Sequence, residues 1–475
     1  MKLPTHSSSD RNSPDAKHRT DRGIVFGNDA MVGRAKIGAV RNEIVYVDSD
    51  EALPSSSKTQ GRIVFIHSSF RTSSTWLWNA FRRLEDTCCY YEVFHESLAS
   101  LRLEDVPNRS YDTWNSMHPV SAPYFREFSE LFTADGGIRD FMPEMAYDSF
   151  IPADGIDGSL SDNEKAYIAG LINHALNKGQ KPVLTCCRTL GRLKAIKREF
   201  GGWNIFLYRN LFCQWMSYLA QHYHGNSYFL HTVFRILEAN LHDPFFSTLR
   251  TRYVSGKPGP FGGFHDIGSA FEAFVGFHLY LSMKAYAEAD QVIEADRLAD
   301  DQSYAGAARL TLIRQTGLNV DFSDAKRSVE RLGNEPYVPD RLQDSVLQLL
   351  EDAAASLGYQ MGYPAMDFGY KLASDLLSSE REHRIHTRGI SKQLMEVDSK
   401  KQAMETELFR LNSLVAEMER KREATAAQLY QSESARQTLR DLQDILEPAT
   451  KTMTWRLLKR IHPAWPRTLK QYLRR

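Results

Sequence analysis

Short apolar runs that each give way to a polar turn and then to an amphipathic stretch restrict the folds open to this chain more than any other feature. Arg62-Ile63-Val64-Phe65-Ile66-His67 is long enough for one buried strand, and Leu77, Ala80, Phe81 and Leu84 follow it at the spacing of one helix face. Pro182-Val183-Leu184-Thr185-Cys186-Cys187 is a second strand candidate. Leu193, Ile196 and Phe200 mark the helix after it, which is expected to end at Gly201-Gly202. A third run, Asn204 to Tyr208, leads through Arg209 into a stretch striped by Phe212, Trp215, Met216 and Leu219; Val292-Ile293-Glu294-Ala295 is a fourth. Apolar strands that each feed a helix read as a parallel sheet in an α/β fold.

The flanks of this pattern differ in texture. Residues 1–22 are rich in Ser, Asp, Arg and Lys with almost nothing to bury, so disorder is expected there, with the α/β domain over 23–375. Within that domain, residues 97–166 read as irregular with short helices. The aromatic helical region from Ser227 to Ala287 is broken by Gly256-Lys257-Pro258-Gly259-Pro260-Phe261-Gly262-Gly263, either a lid or a plain connector. From Ile390 to Leu446 the residues follow a 4,3 spacing in which eleven of seventeen seam positions are apolar, most regularly from Met404 to Met418. That pattern predicts a coiled coil over 376–447, stopped by Pro448, and hence a homo-oligomer. Residues 448–475 hold no acid, and their Lys and Arg alternate with Trp, Leu and Ile. Such a tail reads as an amphipathic segment for the surface of an anionic membrane.

Composition narrows the function classes. With 59 basic and 59 acidic residues among 475, the chain lacks the positive excess of a general nucleic-acid binder. Five cysteines, four of them in adjacent pairs, do not make a disulfide framework and suit reduced thiols in a cytoplasm. No apolar run approaches the ~20 residues of a membrane span, and the polar start lacks a signal-peptide core. A cytoplasmic location is therefore expected, extending to the inner face of the membrane. The 15 histidines show no ligand spacing, so no metal is expected.

The chemistry is concentrated where the first strand ends. Residues 68–76 run from a strand through a hydroxyl-rich turn into a helix, and the first amides of a helix, lacking internal acceptors, attract anions. Arg71 adds a fixed cation, while Ser73, Ser74 and Thr75 are candidate caps and hydroxyl donors. A nucleotide kinase or triphosphatase loop would need Gly-x4-Gly-Lys-[Ser/Thr], which is absent from this turn.

Phe70-Arg71-Thr72-Ser73-Ser74-Thr75-Trp76-Leu77 resembles the 5′-phosphosulfate loop of sulfotransferases that use 3′-phosphoadenosine 5′-phosphosulfate (PAPS). Ser73 stands where that family usually has Gly. Leu207-Tyr208-Arg209-Asn210, followed by Trp215-Met216-Ser217-Tyr218, is similar to the element with which the family holds the ribose 3′-phosphate, an Arg at a strand end and a Ser eight residues later. The resemblance covers about 62–323, including Glu294-Ala295-Asp296-Arg297-Leu298 and Thr316-Gly317-Leu318, both reminiscent of bacterial members. It does not reach the coiled coil.

The resemblance implies a P-loop-like, three-layer α/β/α domain that binds PAPS without a metal. The implied cofactor residues are Arg71, Thr72, Ser73, Ser74, Thr75, Trp76, Arg209 and Ser217, with Arg71 also catalytic. A general base is required, and Tyr90-Tyr91-Glu92-Val93-Phe94-His95-Glu96 resembles the family's second strand, with Val93 in the place of a Pro. Glu92 is the favoured base, with His95 and Glu96 as alternates; strand alternation would put Glu92 and Glu96 on one face. The plainer reading pairs Glu92 with Arg82 or Arg83, and Arg188 is expected in a structural salt bridge. The acceptor would be a hydroxyl of a saccharide or glycolipid. The alternative is a non-catalytic scaffold of the same fold that oligomerises through its coiled coil and binds a membrane.

Overall fold

The computed structural model describes residues 63–106, 123–255, 261–327 and 341–429, with side chains to 425 and isolated positions beyond. Residues 1–22, the Gly/Pro segment at 256–260 and almost all of 430–475, including the basic tail, lie outside them. Five strands form one parallel sheet: β1 (Val64–Ser68), β2 (Thr87–Tyr91), β3 (Lys181–Cys186), β4 (Trp203–Tyr208) and β5 (Gln291–Glu294), in the order β2-β3-β1-β4-β5. From β1 the chain moves outward to β2, then returns through β3 and crosses to β4 on the other side of β1. Connections diverge on either side of β1, and open α/β sheets bind ligands at the C-terminal end of the strand where this happens.

Alternation along β1 explains the layers. Val64 and Ile66 meet Leu77, Trp78 and Phe81 of α1 (Ser74–Arg82) on one face. Ile63 and Phe65 meet Ile168 and Leu171 of α2 (Asp162–Asn177) and Ala195 and Ile196 of α3 (Leu193–Phe200) on the other. Helix α2 starts on a complete capping box, Ser161 accepting from the Glu164 amide while the Glu164 carboxylate accepts from the Ser161 amide. Helix α3 ends as expected at Gly201-Gly202. Gly202 has φ +75°, and a Cβ there would stand 2.9 Å from the Ile63 carbonyl oxygen, so only glycine lets β4 start this close to β1.

A helical cluster lies beyond the sheet: α4 (Leu211–Tyr223), α5 (Tyr228–Ala239), α6 (Pro244–Tyr253), α7 (Ile267–Glu288), then α8 (Ala295–Asp300), α9 (Gln302–Thr316), α10 (Leu342–Leu357) and α11 (Pro364–Leu429). Helices α8 and α9 join α1 on the sheet through Leu298 and Leu312; the others pack around α7. Helix α11 begins well before the expected boundary at 376. Met366, Phe368, Leu372 and Leu376 are buried on the domain, whereas most of the described apolar residues from Ile390 to Met418 are exposed. All five cysteines are free thiols, and among the described residues no helix is long and apolar enough to cross a membrane.

The expected strand alternation between Glu92 and Glu96 is corrected. Strand β2 stops at Tyr91 because Glu92 takes a left-handed backbone, φ 52°, and Glu96 opens a short 3₁₀ helix to Ala99.

Candidate functional site

Five described non-glycine residues have positive φ, and three of them, Arg71, Ser73 and Glu92, stand at the C-terminal edge of the sheet. Each left-handed residue costs on the order of 1–3 kcal/mol, so the surroundings must hold the chain there. Around the β1–α1 turn they do. Thr72 Oγ1 donates to the Ser69 carbonyl at 2.7 Å, and Gln214 Nε2 donates to the Phe70 carbonyl at 2.6 Å. His278 Nδ1 donates to the Phe274 carbonyl, leaving Nε2 to accept from Ser69 Oγ at 2.7 Å and Gln214 Nε2 at 3.0 Å. Burial lowers the His278 pKa to about 4, so the ring is neutral and suited to this role.

The turn delivers α1 with its first amides, those of Ser74, Thr75 and Trp76, beyond the reach of any carbonyl in the helix. Ser73 occupies the cap position but makes no side-chain capping bond, which corrects the expectation that it caps the helix: its left-handed backbone turns the hydroxyl away. Ser74 Oγ lies 3.3 Å from Cys187 Sγ and 3.4 Å from the Tyr91 hydroxyl, and Thr75 Oγ1 lies 2.6 Å from that hydroxyl. Trp76 points outward and donates to Asp324 at 3.0 Å.

Beside this turn stands α4. Arg209 directly follows β4, buried, with its Nε 3.2 Å from Asp296 Oδ1 at the start of α8. Asn210 caps α4 by accepting from the Phe212 and Cys213 amides. Two turns along, Ser217 Oγ accepts from Arg71 Nε at 2.7 Å, so the loop and the helix meet directly. The Arg71 guanidinium also lies over the Phe229 ring, 5.4 Å from its centroid.

On the opposite side of β1, Arg188 follows β3 and is only 1% exposed. Its Nη1 donates to Glu92 Oε2 at 2.7 Å; its Nη2 lies 2.7 Å from both Glu96 Oε2 and the Tyr228 hydroxyl. The expected structural salt bridge of Arg188 is thus present, and its partner Glu92 does not pair with Arg82 or Arg83. Glu92 Oε1 also accepts from the Cys187 amide at 3.3 Å, which sets this carboxylate one residue from the Ser74 contact. Burial raises the Glu96 pKa, but the charges of Arg188 and His95 outweigh it and hold it at about 2. His95 Nδ1 accepts from the Ser97 amide and lies 3.5 Å from Glu96 Oε2. Burial pushes the Cys186 thiol up to about 12 and Cys187 well above its ordinary value, so neither is a thiolate at neutral pH.

No family model, curated protein or solved structure matches this chain. The edge of the sheet nonetheless gathers the residues singled out from the sequence into two groups: Arg71, Thr72, Ser73, Ser74, Thr75, Arg209 and Ser217 around β1 and α4, and Glu92, His95 and Glu96 beside Arg188. Sequence reasoning missed Gln214, Tyr228, Phe229 and His278, and it named Asp296 only within a longer stretch, with no role of its own. One signal for Gln214 was available, because Gln214, Ser217 and Gln221 recur at i, i+3, i+7 along an otherwise apolar helix, and all three are buried. A buried polar stripe needs partners, and here Gln214 and Ser217 find them in the loop while Gln221 accepts from Asn226.

Proposed function

We propose that this protein is a PAPS-dependent sulfotransferase, built on a P-loop-like α/β/α domain, that sulfates a hydroxyl of a saccharide or glycolipid. The observation that carries the reading is the 2.7 Å hydrogen bond from Arg71 to Ser217, which joins a strand–turn–helix anion cradle to the helix that starts beside Arg209. Two anionic ends of one bisphosphate nucleotide need two cationic sites on one crevice, and the sheet edge supplies a guanidinium and hydroxyls at each.

In this reading the donor brings an activated sulfuryl group: the acceptor oxygen bonds to sulfur, the bond to the 5′-phosphate oxygen breaks, and the electron pair leaves with the bisphosphate. Arg71 and the amides of residues 74–76 hold the phosphosulfate and stabilise the charge that builds on the departing phosphate. Arg209 and Ser217 hold the 3′-phosphate, with Asp296 orienting Arg209. Ser217 exchanges its bond to Arg71 for one to the phosphate, which frees Arg71 for the sulfuryl oxygens. Glu92 receives the acceptor's proton. A carboxylate has about four lone-pair positions, so it can accept from Arg188, the Cys187 amide and a substrate hydroxyl together.

Calorimetric titration with 3′-phosphoadenosine 5′-phosphate tests the proposal. Arg71→Ala and Arg209→Ala are expected to weaken binding roughly 10- to 100-fold each, as losing a hydrogen bond to a charged group does. Equal affinity in the wild type and both variants would remove the basis for the proposal and leave the scaffold reading.

A further inference from the structure

Among the described residues, most of the 4,3 seam of α11 is uncovered. Up to Thr387 the helix buries side chains on the domain; beyond it Leu394 is 68%, Val397 61%, Leu408 59% and Met418 63% exposed. The stretch 390–425 would extend about 54 Å at 1.5 Å per residue. A lone helix gains little from its own hydrogen bonds in water, and a regular apolar seam left in solvent forfeits most of what such a helix can gain.

We infer that residues 390–425 form a parallel, two-stranded coiled coil with a second copy of this chain. The seam spacing puts Ile390, Val397, Met404, Leu411 and Met418 at d, and Leu394, Leu408 and Val415 at a. The other a positions are Lys401 and Arg422. Charged a residues specify register and few strands, because their stems can carry the charge past a two-stranded seam to water.

Flanking charge gives the direction. Parallel pairing sets each g residue against the e residue of the partner's next heptad: Gln393 with Asp398, Lys400 with Glu405, Glu407 with Asn412, Leu414 with Glu419. These contacts include one ion pair on each side of the dimer and no like-charged pair. Antiparallel pairing would set e against e, where Asp398, Glu405 and Glu419 are all acidic.

Sedimentation equilibrium of the full chain at about 10 μM tests this, since a two-stranded coil of this length is expected to be paired there. The expected mass is twice the 54.3 kDa of one chain. The double variant Leu408→Lys, Leu411→Lys is expected to fall to the single-chain mass with an unchanged domain melting temperature. A monomeric wild type, a trimer or larger, or an undiminished mass in the double variant each overturns the proposal. Direction is read separately: oxidised Met404→Cys should run as a covalent dimer on a non-reducing gel while the wild type does not. No cross-link in a variant that still has dimer mass overturns the parallel arrangement.

Discussion

Arg188 organises the acidic half of the site. A buried guanidinium is costly unless several acceptors meet it, and Glu92, Glu96 and Tyr228 do so at 2.7 Å each, while its face lies over Phe70, the residue before Arg71. The candidate base is thereby fixed in place, while Glu96, held at about 2 by Arg188 and His95, is a weak proton acceptor. Glu92→Gln keeps an oxygen for Arg188 and removes the basic charge. It is expected to lower turnover at least ~100-fold while the affinity for 3′-phosphoadenosine 5′-phosphate stays within about threefold, measured by steady-state kinetics beside calorimetry. Unchanged turnover would transfer the role to His95 or Glu96. The identity of these candidates was legible in the sequence, as residues just past a strand. Their partner was not, because Arg188 lies 96 residues from Glu92, and nothing local to either reports the other.

At the scale of elements, two helices close the site from outside the sheet. The first residues of α5 bridge its halves, Tyr228 touching Arg188 and Glu96 while Phe229 lies beneath Arg71. The base of α11 reaches the ends of β4 and β5. Ser379 Oγ and the Asp375 carbonyl accept from Asn210 Nδ2, the side chain that caps α4, and Lys371 pairs with Glu294 at the end of β5. The helix is thus part of the domain for its first turns and separate from it afterwards. A chain ending at 388 is expected to keep the melting temperature of the α/β unit, as circular dichroism would record. One ending at 363 loses Met366, Phe368, Leu372 and Leu376, at ~1.5–3 kcal/mol each. That loss is comparable with the whole net stability of a domain, so this shorter chain is expected to be unfolded or aggregated. Seam periodicity marked the exposed part of the helix. It could not mark the boundary, since apolar residues facing a domain and those facing a partner helix carry the same spacing.

For the whole molecule, acid is the expected weakness. Burial lowers His67 and His278 to about 4 from 6.5, so between those values the unfolded chain binds two protons that the native state refuses. Their stabilisation, on the order of 3 kcal/mol each, is complete above pH 6.5 and is lost as pH falls towards 4. Glu96, held at about 2, continues the loss below its unfolded value of 4.5; Glu127, raised by burial, opposes it. The melting temperature is expected to be level above pH 6.5 and to fall steadily from there to pH 4.5, with a shallower fall in His278→Gln. A midpoint independent of pH over that interval would contradict the assignment.

The sequence by itself determined four of the five strands, the helices that follow β1, β3 and β4, and the polar turn after β1, because each is written in the spacing of neighbouring side chains; β2 was legible only through the resemblance. Only the tertiary structure decided that Arg71 meets Ser217, that Arg188 gathers Glu92 and Glu96, and that α11 braces Asn210 at the start of α4. Those meetings depend on the order in which the strands lie side by side, and hydrophobic periodicity, being local, carries no record of which strand sits next to which.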